Sequence, residues 1–309
     1  MGYFEAAAEE DRMTRVTLLD GGMGQELVAR SGDAPTPLWS TRVMIDHPGL
    51  VHAVHSDYFR AGATVATTNT YAIHHDRLLT FGLDDRFAAL HTQALAEAAA
   101  ARAEHGRGRI AGSLGPLVAS YRPETHPPHA EAVAKYAEIA CLLAPAIDVL
   151  LAETVASLAH ARAVLEGAGA AGLPVWLSVT VDDEDGSRLR SGEPLADLAG
   201  IVASGASAVL ANCSAPEAMA AALAVFADMG LPYGAYANGF QQITKEFLKD
   251  SPTVDSLSTR PEMTPALYAG FALRWVEMGA TIVGGCCETT PAHIAEVARR
   301  LVAAGHEIV

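Results

Sequence analysis

The amino-acid sequence predicts an α/β protein built as a single (β/α)8 barrel of the TIM-barrel kind. Three observations carry that expectation. Short β-branched or apolar runs alternate with longer helical patterns eight times, the signature of repeated βα units. The chain has 309 residues, and single α/β barrels of about 250 residues are usual, so length does not force a second domain. Finally, the polar residues Asp20, Thr68, Glu153, Asn212, Cys213, Asn238, Cys286 and Cys287 all fall where predicted strands end, which is where a barrel keeps its site.

Taken in order, residues 1–13 are polar and alanine-rich and read as a loose tail, leaving 14–309 as the barrel domain. Strand one is Val16 to Gly22, followed by a long Pro-containing connection and a helix around Pro48–Ala61. Strand two is Thr64 to Thr70, followed by the Ala-rich helix near Asp84–His105. Strand three, Arg109 to Gly115, precedes a Pro- and His-containing loop and a helix from His129 to Leu143. Strand four is Ile147 to Thr154, with a helix near Ser157–Ala168. Strand five is Pro174 to Thr180, with a helix from Pro194. Strand six ends at Cys213, and its helix runs from Pro216 to Met229. Strand seven is Tyr233 to Asn238. A long loop to Pro261 and a helix near Thr264–Met278 lead to strand eight, which ends at Cys286-Cys287.

The composition is that of an ordinary globular protein, 50% apolar with few aromatics. A formal net charge of −15 opposes non-specific binding to nucleic acid or anionic membrane, since both need clustered Lys and Arg. No apolar run of about 18 residues and no basic segment followed by an apolar core is present, so neither a membrane span nor a signal peptide is expected. The expected compartment is the cytoplasm, where thiols stay reduced. Oligomeric state is not readable.

Gly284-Gly285-Cys286-Cys287 closes an apolar run and precedes Thr289-Thr290-Pro291, a helix start. Neighbouring side chains on a regular strand point to opposite faces, so the two thiols converge only if the backbone departs from the pleat, which the glycines permit. Cys213 ends another strand of the same rim. Three thiolates with a fourth position open describe a catalytic zinc site suited to a soft substrate atom. For Cys213 alone, packing as a small hydrophobe reads as well, and Cys141, inside a helical pattern, is assigned to packing. Asp20 before Gly21-Gly22, and Glu153, read as functional carboxylates, and amides beside glycine can approach an anion closely. Asp182 to Gly186 lacks the spacing of a calcium loop and reads as a solvated turn. His74-His75 and His126/His129 lack the helical spacing of ligand pairs.

From Asp20 to about Arg300 the chain resembles the homocysteine S-methyltransferase family. The resemblance rests on Asp20-Gly21-Gly22-Met23-Gly24, Thr68-Asn69-Thr70-Tyr71, Gly112-Ser113-Leu114-Gly115-Pro116, Glu153-Thr154, Ser191-Gly192-Glu193-Pro194-Leu195, Asn212-Cys213-Ser214 and Gly284-Gly285-Cys286-Cys287. It implies a barrel in which Cys213, Cys286 and Cys287 ligate Zn2+ and the metal binds the homocysteine sulfur. A metal-bound thiol is deprotonated, so a thiolate is available to take a methyl group from a small cationic donor and form methionine. The resemblance further implies that Asp20 and Glu153 hold the homocysteine ammonium, that the amides at Gly21 and Thr68 take its carboxylate, and that Asn212 and Asn238 support the site.

Some residues depart from the family's patterns. Thr154 stands where betaine-using relatives have tyrosine, and Leu117 to Pro123 lacks the Asp-Gly-Ser-Glu-Tyr run of S-methylmethionine enzymes. Glu288 replaces the commoner Gly or Arg. No cobalamin or folate domain is expected. The expected donor is a sulfonium, S-methylmethionine ahead of S-adenosylmethionine, held over Tyr71, Tyr121 or Tyr236. The alternatives are methyl transfer to another thiol or selenol such as selenocysteine, and a non-catalytic zinc- or amino-acid-binding barrel.

Overall fold

The computed structural model describes residues 13–34, 36, 38–239 and 260–309. Its strands are β1 (Arg15–Leu18), β2 (Val65–Thr67), β3 (Arg109–Leu114), β4 (Val149–Val155), β5 (Val175–Val179), β6 (Ala208–Asn212), β7 (Tyr233–Tyr236), β8 (Ile282–Val283) and β9 (Glu307–Ile308). All are parallel, in one sheet of order β2-β3-β4-β5-β6-β7-β8-β1-β9. The sheet curls until β1 approaches β2: Leu19 bridges to Val65 and Thr64 N–H donates to Leu18 O at 2.7 Å.

Strand sequence explains the layering. Every residue of β4, β5 and β6 is buried, as expected of parallel strands covered on both faces. Alternation sends Val149 and Leu151, Ala208 and Leu210, with Leu19, Trp176 and Ile282, into one inner cluster, while Leu150, Ala152, Val209 and Ala211 join the outer cluster under the helices. The same period of two points Glu153 and Asn212 inward at their strand ends. At the opposite end, the Arg109 guanidinium lies 5.4 Å from the Trp176 ring and donates to Thr17 Oγ1 at 2.9 Å, forming a floor.

The helices are α1 (Met23–Ser31), α2 (Trp39–Asp46), α3 (Leu50–Arg60), α4 (His75–Thr80), α5 (Phe87–His105), α6 (His129–Leu143), α7 (Leu158–Gly169), α8 (Ala199–Val202), α9 (Met219–Phe226), α10 (Pro265–Glu277) and α11 (Pro291–Ala303). Several starts follow from capping chemistry. Ser157 Oγ accepts from His160 N–H at 3.2 Å and Thr264 Oγ1 from Leu267 N–H at 3.3 Å. No described helix is long and apolar enough to cross a membrane.

The structure corrects the sequence reading at several points. The connection after strand one contains α1 and α2. The Asp84–Arg86 segment is a 3-10 turn before α5, and the helix expected from Pro194 is a 3-10 turn plus the four-residue α8. β9, which pairs Arg15 with Glu307 and Val16 with Ile308, was not expected. Cys141 is exposed rather than packed, because the buried stripe of α6 runs through Ala132, Tyr136, Ile139, Ala140 and Leu143 and leaves position 141 outside it. Of the tail read at 1–13, residues 1–12 lie outside the described residues, as does 240–259 of the loop before Pro261.

Candidate active site

The three thiols meet where β6 and β8 end. Their sulfur atoms all lie within 4.8 Å of one another. Cys213 has φ 49°, a left-handed conformation uncommon for a side-chain-bearing residue. The backbone leaves the strand where the sequence expected it to, since β8 ends at Val283, immediately before Gly284 and Gly285. Neither glycine has a positive φ, and the left-handed residue of the turn is Glu288, φ 63°. Crowding adds a second reason for glycine: a Cβ on Gly284 would lie 2.5 Å from Leu19 Cβ, and one on Gly285 would collide with Thr289. Around them Gly285 N–H donates to Asp20 O, Cys286 N–H to Ala237 O and Gly239 N–H to Cys287 O, each at 2.9 Å.

A tetrahedral metal with bonds near 2.3 Å separates its sulfur ligands by about 3.8 Å, so the trio fits such an ion. Hydrogen bonds from Cys286 and Cys287 hold Cys213 well below the usual thiol range, and sharing with Cys213 pushes those two thiols up.

Two carboxyl groups face the thiols. Asp20 is buried; its oxygens accept from Thr67 N–H at 2.7 Å and Thr67 Oγ1 at 2.8 Å. Burial raises its pKa to about 7, against the lowering effect of those bonds. Glu153 accepts from Ser113 Oγ and, at 3.2 Å, from Tyr236 Oη. Burial pushes it up to about 8. Both groups therefore favour ionisation once a cation is beside them.

Asp20, Gly21, Thr68, Glu153, Cys213, Cys286 and Cys287 line one cavity of about 110 Å³, well below the roughly 300–1,000 Å³ that takes a drug-sized ligand. Tyr71, Tyr121 and Tyr236 line it too. Arg77 lies 5.7 Å from the Tyr71 ring centre and Arg190 5.8 Å from that of Tyr121.

Asn212 and Asn238 do not line the cavity. Asn212 is fully buried and accepts from Thr154 N–H (2.9 Å) and Ser178 Oγ (2.8 Å) while donating to Thr154 Oγ1 (3.0 Å). It thereby holds Thr154 at φ 60°, next to Glu153. Asn238 is buried, and its N–H donates to Ser214 O at 3.2 Å. The Thr68 N–H is already committed to Ala111 O at 2.9 Å, which counts against giving that amide to a ligand.

Sequence reasoning missed Thr67 and Ser113 as the partners of the two carboxylates; both stand at strand ends, the one signal that marked them. It also missed Gln25, which lines the cavity beside Cys287. The discounted groups stay apart. His74 bonds to Tyr71 O, His75 lies between Asp84 and Glu138, and His129 meets Glu166. Among the described residues the cysteine trio is the sole cluster with ligand atoms close enough for a metal. In the acidic turn, Asp182 accepts from Glu184 and Asp185 N–H, while Asp183 pairs with Arg190 at 2.7 Å.

Fold and site define a parallel α/β protein whose strand ends enclose a small cavity between three thiols and two carboxyl groups. The profile of the homocysteine S-methyltransferase family matches residues 17–301. A homocysteine S-methyltransferase of Escherichia coli (strain K12) is 31% identical, over 92% of this chain and 95% of its own length. A selenocysteine methyltransferase of Astragalus bisulcatus is 24% identical over 90% of each chain. The crystal structure of the E. coli homocysteine methyltransferase MmuM in metallated form superposes with a TM-score of 0.78 at 29% identity, covering 94% of this chain and 97% of that one. The chain belongs to the homocysteine S-methyltransferase family and is a methyltransferase.

Proposed function

We propose that this enzyme, a closed (β/α)8 barrel over residues 14–309 working in the cytoplasm, transfers a methyl group from a small sulfonium donor to homocysteine in a zinc-dependent reaction that forms methionine. The observation that carries this reading is the cavity itself, which sets three convergent thiols opposite two buried carboxyl groups. Cys213, Cys286 and Cys287 would hold the zinc. When bound, the ion supplies the homocysteine sulfur as a thiolate at neutral pH.

The chain's own residues do the rest. Asp20 and Glu153 accept hydrogen bonds from the homocysteine ammonium, whose charge offsets the burial that raises both pKa values. Thr67, Ser113 and Tyr236 fix their oxygens. The Gly21 amide faces the substrate carboxylate, a part no longer assigned to the committed Thr68 amide. Asn212 acts through Thr154, and Asn238 through the backbone after Cys213.

The thiolate attacks the donor methyl carbon; the new S–C bond forms as the sulfonium C–S bond breaks, and the electron pair leaves on the donor sulfur, now neutral. Such a donor is best held weakly, because tight pairing stabilises the ground state. Tyr71, Tyr121 and Tyr236 are the aromatic candidates for that task; guanidiniums already lie over the Tyr71 and Tyr121 rings, which counts against a cation–π contact there. S-methylmethionine is the favoured donor. A second reading, methyl transfer to selenocysteine, is favoured by the relatives named selenocysteine methyltransferase.

The test uses zinc-loaded enzyme with homocysteine and, in parallel, S-methylmethionine, S-adenosylmethionine, betaine, dimethylsulfoniopropionate and methylcobalamin, with methionine read by mass spectrometry. Turnover with S-methylmethionine is expected. Turnover with betaine alone overturns the donor, and faster methylation of selenocysteine than of homocysteine selects the second reading.

A further inference from the structure

We propose that Gln25 is a specificity-determining residue whose side-chain amide binds the carboxylate of the amino-acid substrate; this rests on the reading that the acceptor is an α-amino acid. Gln25 stands in the first turn of α1, immediately after the Asp20-Gly21-Gly22 segment, and lines the same cavity. Its Nε2 is buried and makes no hydrogen bond to a nitrogen or oxygen acceptor among the described residues; the neighbour it approaches is the Cys287 sulfur, whose thiolate it favours. A buried donor left unpaired is costly, so one facing a ligand cavity has a use there.

The chemistry of the cavity says which ligand group it meets. No Lys or Arg is among the described residues that line it, so an anionic group entering must be held by neutral donors. Asp20 and Glu153 are acceptors and direct a carboxylate away from themselves. Two nearby backbone donors are already engaged, Gly22 N–H with Thr289 O at 2.8 Å and Thr68 N–H with Ala111 O at 2.9 Å. To the Gly21 amide Gln25 adds a side-chain donor, at the end of the cavity formed by the start of α1, which has no side-chain cap. An amino acid with its sulfur at the cysteines and its ammonium at the two carboxyl groups would then present its carboxylate to the Gln25 amide.

The competing role is a hydrogen bond from Gln25 to the adjacent Cys287 sulfur, and the test separates the two. Calorimetry on metal-loaded wild type and Gln25→Leu compares homocysteine with aminopropanethiol, its decarboxylated counterpart, alongside metal content. The expected result is homocysteine binding weakened about tenfold, with aminopropanethiol binding and metal content unchanged. Gln25→Glu, which places a like charge there, is expected to weaken homocysteine further. Equal weakening of both ligands, loss of metal, or unchanged homocysteine affinity in Gln25→Leu overturns the proposal. Wild type that binds homocysteine and aminopropanethiol equally also overturns it, whereas wild type that binds neither refutes the amino-acid reading from which it starts.

Discussion

The two walls of the cavity are built by different means. On the thiol wall the backbone does the positioning: Cys213 and Glu288 are left-handed, Gly284 and Gly285 have no room for a side chain, and main-chain bonds tie Cys286 to Ala237 and Gly285 to Asp20. On the carboxyl wall, side-chain hydroxyls take most of that part, with Thr67 holding Asp20 through its hydroxyl and its N–H, and Ser113 and Tyr236 holding Glu153 through their hydroxyls. A wall set by backbone fixes where three atoms converge. A wall set by hydroxyls leaves the charge state adjustable, and here burial has moved both acids to about 7 and about 8.

That contrast breaks first at the metal. Replacing a residue that merely supports a ligand costs about 10- to 100-fold in metal affinity, so Cys286→Ser, which removes a ligand, should lose more and abolish turnover while the far-ultraviolet circular dichroism stays folded. Equal metal content in variant and wild type would remove the trio from the centre. The carboxyl wall should behave differently. Asp20→Asn and Glu153→Gln are each expected to raise the Michaelis constant for homocysteine by roughly ten- to hundredfold, the worth of a charge-assisted hydrogen bond, at unchanged metal content; parallel loss of metal would mean that the walls are not separable.

Next comes the residue that joins the walls. Asn212→Ala removes three buried hydrogen bonds and the hold on Thr154, and denaturant unfolding should show a loss of about 1–3 kcal/mol. The pH response sharpens the contrast on the carboxyl side. The folded pKa of Asp20 lies above its unfolded value of 3.8, so its contribution to stability is complete below about pH 4 and is lost as pH rises through about 7. Ligand-free wild type should therefore lose a few degrees of Tm between about pH 5 and about pH 8 relative to Asp20→Asn; parallel curves would contradict the buried, protonated acid. The smallest effect is expected at Glu288→Gly, where relief of a left-handed side chain should stabilise by about 1 kcal/mol or less, readable as a small rise in denaturation midpoint.

Much of this was legible in the chain. Each expected strand run overlaps an observed strand, the helices expected near Ser157 and Thr264 are present with those residues as caps, and strand-end position drew attention to Asp20, Glu153 and the cysteines. What escaped had physical reasons. Gly21-Gly22 reads as a loop signal and hid the start of α1, and with it Gln25, since a lone glutamine in a first helical turn looks like any solvated residue. β9 is two residues long, too short for a period-of-two pattern. Gly284 and Gly285 were noticed for conformational freedom, but their closeness to Leu19 and Thr289 is something no local sequence records. Thr68 likewise looked available until its partner Ala111, on another strand, was in view.

β1 lies between β8 and β9 in the sheet, with Thr17 opposite Ile282 and Arg15 opposite Glu307. The strand that carries Asp20 is thus synthesised before every other strand and paired on that side only after the residues beyond 280 exist. During synthesis it stays a bare edge on that side, of the kind that attracts stray pairing, and its pairing with β8 and β9 carries the loop-closure cost of nearly the whole chain. The cavity is therefore a late event in the life of each molecule: the carboxyl of Asp20 and the thiols of Cys286 and Cys287 first share a neighbourhood when the sheet is joined end to end, so no partly made chain can offer the complete set to a metal or a substrate.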